Sequence, residues 1–306
     1  MKTYPLFNVL LFLSLLAAGW LYNPAVAAAQ YPDSASDQRT QRPLENAIAN
    51  LKDSNPAVRE QAAEELGKAR QAGAVDALIS VLQYDDVWSV RKSAAWALGE
   101  IRDDRALVPL MRAMSHKDWI IRFKVIEALG KLGDRRAAAL LTEALQDENS
   151  RVYGEAIRAL GEIGAERAVD PLIQAMGHEL PAIRMNAAAA LGKIGDSRAV
   201  DSLIQMLAHD RIGDVRKSAA WALGKIGDSR ASEALILALK DDDYYVRLYA
   251  QLSIEKIGRP AVPLLIAALN EKDLTVQNRA SWALEGITGE ALGPDPGRWK
   301  EWLSIH

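Results

Sequence analysis

The decapeptide VRKSAAWALG stands twice in the chain, at Val90–Gly99 and again at Val215–Gly224. Extended to VWSVRKSAAWALGEI, it carries Val90, Ala94, Ala97, Leu98 and Ile101 at i, i+4, i+7, i+8 and i+11, one apolar stripe at helical spacing. Trp88, Lys92 and Trp96 fall at i, i+4 and i+8 on nearly the opposite side. The stretch is therefore a helix, and its own core has no need of Trp96.

The two copies are members of a longer series. Arg59, Arg91, Arg122, Arg184, Arg216 and Arg247 each follow Val or Ile at intervals of about 31 residues or twice that, with Tyr153 and Gln277 in the same slot elsewhere. Leu-Gly steps end at Gly67, Gly99, Gly130, Gly161, Gly192 and Gly224, and Glu255 and Glu285 replace the last two. Eight units result. Each begins with a short helix of the kind RAVDPLIQAM (167–176), and Asp or Asn in the following turn is a natural N-cap for the Val-Arg helix. Gly133, Gly164, Gly195 and Gly227 then supply left-handed C-caps. One such unit cannot bury its apolar face alone, so stacking into an all-α, right-handed solenoid of about eight two-helix repeats over 44–288 is expected.

The pattern D-x-x-x-V-R-x-x-A-A-x-A-L-G-x-I-G-D-x-R-A-V-x-P-L-I resembles the HEAT-like repeats first associated with phycobilisome lyases, and designed alpha-repeat scaffolds are similar. The resemblance covers about 43–288. It implies that the Val-Arg helices line a concave face. The recurring Arg, Arg91 and Arg216 included, is expected to be a structural rung to a neighbouring turn Asp.

On the outward stripe of those helices stand Trp88, Lys92 and Trp96, then Trp119 and Phe123, then Ser150, Gly154 and Arg158. Further on come Met185, Ala189, Lys217, Trp221, Tyr244, Tyr245, Tyr249 and Trp282. Aromatic anchors recurring at one slot are the chemistry of a protein or peptide interface. The expected binding residues are Trp88, Lys92, Trp96, Trp119, Phe123, Trp221, Tyr244, Tyr245, Tyr249 and Trp282, in two patches. Lys131, Lys193, Lys225 and Lys256, after the Leu-Gly step, form a secondary basic row suited to an acidic peptide.

Of the 306 residues, 37 are Lys or Arg and 40 Asp or Glu, a net charge of −3 that offers no nucleic-acid surface. The absence of cysteine excludes disulfides, thiolate metal sites, thiol catalysis and bilin attachment to this chain. Lys2, the apolar run PLFNVLLFLSLLAAGWLY and Ala25-Val26-Ala27 read as a signal peptide over 1–27, which makes the chain periplasmic or extracellular. The alternative is an uncleaved membrane anchor over residues 5–22. Residues 28–43 are polar and proline-bounded, a flexible linker in expectation. The ending 289–306 leaves the repeat, with Asp295 and Pro296 opening a short helix whose Trp299 and Trp302 cap the array.

Catalytic patterns do not appear. Deoxyhypusine hydroxylase, built on similar repeats, carries His-Glu iron-binding pairs just after the recurring Arg. Here those positions read Glu60-Gln61, Lys92-Ser93, Phe123-Lys124, Gly154-Glu155, Met185-Asn186, Lys217-Ser218, Leu248-Tyr249 and Asn278-Arg279. The one His-Glu, His178-Glu179, falls in a turn. His116, His178 and His209 share a turn region but are too widely spaced to converge on one ion. Bilin lyase activity is an intracellular task at odds with the export signal. The sequence thus points to a monomeric, non-catalytic scaffold without metal or cofactor; a lyase-like accessory protein is the alternative.

Overall fold

The structure, a computed structural model, describes residues 34–306. The signal segment and residues 28–33 of the expected linker lie outside them. Seventeen α-helices and short 3-10 turns, with no strand among the described residues, build the chain. Eight two-helix units and one closing helix account for all seventeen.

The first helices are α1 (Ser34–Asn50), α3 (Val75–Tyr84), α5 (Leu107–Ala113), α7 (Ala138–Glu143), α9 (Val169–Ala175), α11 (Val200–His209), α13 (Ser232–Leu237) and α15 (Val262–Ala268). The second helices carry the Val-Arg step: α2 (Pro56–Lys68), α4 (Trp88–Ile101), α6 (Trp119–Leu132), α8 (Ser150–Glu162), α10 (Pro181–Ile194), α12 (Gly213–Ile226), α14 (Tyr244–Ile257) and α16 (Leu274–Thr288). Helix α17 (Pro296–Ile305) packs on α15, with Trp299 fully buried and its indole N–H donating to the Gly293 carbonyl at 2.7 Å.

Residues 34–43, expected as linker, are helical, and Pro43 lies inside α1. The sequence hid this because Leu44, Ala47 and Ile48, which pack on the core, all lie after Pro43 in the C-terminal part of the helix. The polar part before them has no apolar period to read.

Each second helix is packed on more than one side. In α4 the buried set includes Ser93, Ala95 and Gly99 besides the expected Val90, Ala94, Ala97 and Leu98, while Ile101 is only half-buried. The extra burial comes from neighbouring second helices, which contact one another along the whole array far more than the first helices do. The Leu-Gly step explains the closeness. A Cβ on Gly99 would stand 2.7 Å from the Ala128 Cα, and one on Gly161 or Gly192 would stand 2.8 Å from Ala190 or Ala222. Only hydrogen fits there. Close spacing in this layer agrees with the expectation that the second helices line the inner side of a curved array.

The caps fall where the turn residues predict. Asp118 and Asp243 accept the backbone N–H two residues on, and Gly133, Gly164, Gly195 and Gly227 hold φ between 63 and 78°. Asp85 works differently: it precedes the N-cap by two residues and accepts both the Val87 N–H and the Arg59 guanidinium.

Candidate functional site

The recurring arginine is built into the frame. Arg59 donates to Asp85 at 2.7 Å, Arg122 to Asp147 at 2.7 Å, Arg184 to Asp210 at 2.7 Å and Arg216 to Asp241 at 2.7 Å, each reaching the next unit's turn. Each aspartate's pKa lies below its usual range. Burial pulls Asp85, Asp210 and Asp241 upward, but their hydrogen bonds from arginine and backbone N–H outweigh it. For Asp147 the Arg122 hydrogen bond is the largest effect. Arg91 departs from the expected rung. It donates only to the Asp85 carbonyl of its own turn, because the next turn carries His116 where an aspartate would stand. Where Tyr153 replaces Arg, its ring lies 5.5 Å from that of His178 in the next turn.

With this arginine turned into the frame, the second helices present the stripe at i, i+4 and i+8 to the inner side. At the N-terminal end Trp88 is 45% exposed, and the Lys92 ammonium stands 5.7 Å from its ring. Lys92 also meets Glu60 at 3.2 Å, and Glu60 accepts from Ser89 at 2.8 Å and Ser93 at 3.3 Å. Burial would raise the Glu60 carboxyl, yet these bonds hold it below its ordinary value. Nothing in the sequence pattern pointed to this Glu60 cluster, whose members belong to two different units. Trp119 and Phe123 are half-buried, with Arg151 5.5 Å from the Trp119 ring and Lys124 5.3 Å from that of Phe123.

Trp96 and Trp221, expected as outward anchors, are half-buried instead. Their rings cross onto the preceding unit, where a Cβ on Gly67 would lie 2.8 Å from the Trp96 Cζ3 and one on Gly192 2.9 Å from the Trp221 Cζ3. The repeated tryptophan covers a repeated glycine. The helical wheel misjudged it because a wheel sees one helix and not its neighbour.

The C-terminal patch stays open. Tyr244 is 54% exposed, Tyr245 57% and Trp282 53%, while Tyr249 is half-buried. The rings of Tyr244 and Tyr245 meet edge to face at 5.4 Å, and Lys217 stands 5.7 Å from Tyr245.

Between the patches the inner face is a charged lattice. Lys131 donates to Glu100 at 2.6 Å and to Glu127 at 2.7 Å, and Lys193 donates to Glu162 at 2.6 Å. Two of the four lysines of the expected basic row are therefore neutralised by their neighbours. Lys225 lies 5.9 Å from the Trp221 ring, and Lys256 alone of the four is exposed without an ion pair or ring contact among the described residues. Glu155 is buried at the centre of this lattice and paired to Arg158. Burial pushes its carboxyl up by more than the Arg158 bond pulls it down. Among the described residues no three His, Asp or Glu side chains cluster as a metal site.

A stack of helical pairs with one layer drawn tight and one decorated inner face defines an α-solenoid of the helical-repeat class. Within that class the chain belongs to the HEAT-repeat family. Residues 44–114, 76–153 and 141–224 match HEAT repeats, and residues 215–241 match the PBS lyase HEAT-like repeat. No curated protein matches. Among solved structures the chain is similar to an engineered protein, at 22% identity and TM-score 0.54 over 80% of this chain and 78% of that one. It is also similar to the complex of CpcE and CpcF of phycocyanin lyase from Nostoc sp. PCC7120, at 26% identity and TM-score 0.49 over 80% and 94% of the two chains. A third similarity, to human deoxyhypusine hydroxylase in complex with glycerol, has 21% identity and TM-score 0.40 over 83% and 99%. The engineered protein supports the fold, and the other two superpose too loosely to carry more.

Proposed function

We propose that the chain is a non-catalytic scaffold that binds a protein or peptide along its inner, second-helix face. One observation carries this reading. Trp88 at one end of that face and Tyr244, Tyr245 and Trp282 at the other are each about half exposed, although smaller residues would serve the packing there. Large aromatic side chains left in water at one face are the usual energetic centres of interfaces, worth on the order of 2 kcal/mol each on truncation. The lattice between them, with Lys131 and Lys193 already paired to glutamates, favours a partner of mixed charge over a polyanion. The segment 1–27, read as a signal peptide, supports a periplasmic or extracellular location. Among the described residues no helix is long and apolar enough to cross a membrane.

The test uses the chain from residue 28 as bait, beside a matched bait with Trp88→Ala, Tyr245→Ala and Trp282→Ala whose helical circular dichroism equals the parent's. A partner held by the first and lost by the second supports the reading. Equal capture by both removes the aromatic anchors from it.

A further inference from the structure

Seven of the eight slots of the recurring arginine have been accounted for as frame or as substitutions, and the seventh unit remains. Arg247 donates to the backbone carbonyls of Asp241 and Asp242 in its own turn, but it makes no ion pair among the described residues. The next turn carries Glu271, an exposed side chain unpaired among the described residues, where the other rungs find aspartate. The Nε of Arg247 is buried without a hydrogen-bond partner. Arg279, from the following helix α16, lies against the same Tyr244 ring as Arg247. It is only 8% exposed, its Nε is likewise buried and unpartnered, and its one polar contact is to the Gln251 amide oxygen at 3.1 Å. The two guanidinium carbons lie 5.8 and 5.7 Å from the ring of Tyr244.

Two cations drawn together by one aromatic ring, with no acid beside them, are an expensive arrangement. Like charges repel, and a buried cation without a counter-ion forfeits its hydration. Burial, followed by the charge of Arg247, pulls the Arg279 pKa below its ordinary value. Arg91 is the one other rung without a carboxylate, its Nε likewise buried and unpartnered, but Tyr244 is the one ring among the described residues with two guanidinium groups against it. An unpaired pair beside an exposed tyrosine costs stability and is explained by a group that arrives from outside.

We infer that Arg247 and Arg279, with Tyr244, form a receptor for one carboxylate of the bound partner, either an acidic side chain or a chain terminus. The planar guanidinium fork suits a carboxylate, and Tyr244 covers the apolar atoms next to it. The site rests on the binding face proposed above and gives its C-terminal end a chemical preference.

The experiment titrates the full chain with small probes and follows the arginine Nε–Hε resonances, assigned through Arg247→Gln and Arg279→Gln. N-acetylglycine presents a terminal carboxylate, N-acetylglutamic acid α-amide a side-chain carboxylate, and propionamide neither. All titrations are run at matched ionic strength beside inorganic phosphate. Saturable shifts of both resonances by a carboxylate probe, not by propionamide, are expected, with binding at least tenfold weaker in Arg279→Gln. Whichever of the two carboxylates binds more tightly identifies the source. No shift with either carboxylate, equal binding by Arg279→Gln, or saturation by phosphate alone overturns the assignment. Should Arg279→Gln fail to fold, Arg247→Gln carries the same comparison. Because the probes need no partner, failure here leaves the aromatic face standing. Loss of partner capture by Trp88→Ala at the far end, with probe binding unchanged, supports that face independently.

Discussion

At the scale of single residues the fold depends on atoms that are missing. Gly99 meets Ala128 so closely that a methyl group has no room. Gly99→Ala is accordingly expected to cost about 1–3 kcal/mol, as overpacking does, read as a lowered urea midpoint. An unchanged midpoint would show that the second helices can part at no cost. The rung aspartates give the chain a pH dependence of defined sign. Asp85, Asp147, Asp210 and Asp241 have pKa values below those of an unfolded chain, so their contribution is complete above about pH 4 and is lost as pH falls through the folded values. Asp147→Asn is expected to lose about 1 kcal/mol at pH 7, the size of one charge-assisted hydrogen bond, and less at pH 2. Urea titrations at the two pH values check this. The rung was legible in the sequence for Arg216, since Asp241 stands in the next unit's turn. It was not legible for Arg91, whose partner slot holds His116.

At the scale of elements the duplicated decapeptide was a sound guide to helix and period, and a poor one to what its tryptophan does. Apolar spacing reports the contacts between a helix and its own unit. The ring of Trp96 instead lies on Gly67 of the preceding unit, and no one-helix pattern contains that glycine. The same limit concealed the Glu60 cluster and the N-terminal turns of α1. Helix ends were easier, because a left-handed C-cap favours glycine wherever it occurs. Units one and two break that rule: Arg70 and Arg102 hold the left-handed position at φ 49° and 59°, where the other units place glycine. Arg102→Gly should therefore raise stability by about 1 kcal/mol in chemical denaturation. A loss of similar size would mean that the Arg102 side chain contributes contacts outweighing the backbone cost.

At the scale of the whole molecule, the expected curvature of the array decides which side chains can meet one partner together. The eight-unit plan was readable from the Val-Arg and Leu-Gly periods, since each repeat restates it. The site was half readable. Trp88, Tyr244, Tyr245 and Trp282 are exposed on the second-helix side, whereas Trp96, Trp221, Lys131 and Lys193 belong to the structure's own contacts. Exposure separates the two groups, and exposure depends on the neighbouring unit. The most direct measurement of the central claim is isothermal titration of a captured partner against the parent chain, Trp88→Ala, Trp282→Ala and Tyr84→Ala. Tyr84 is 80% exposed at the end of a first helix, outside the proposed face, and serves as the control. We predict affinity at least tenfold weaker for Trp88→Ala and for Trp282→Ala, with Tyr84→Ala equal to the parent. Equal affinity for all four chains would contradict the assignment of the inner face as the binding surface.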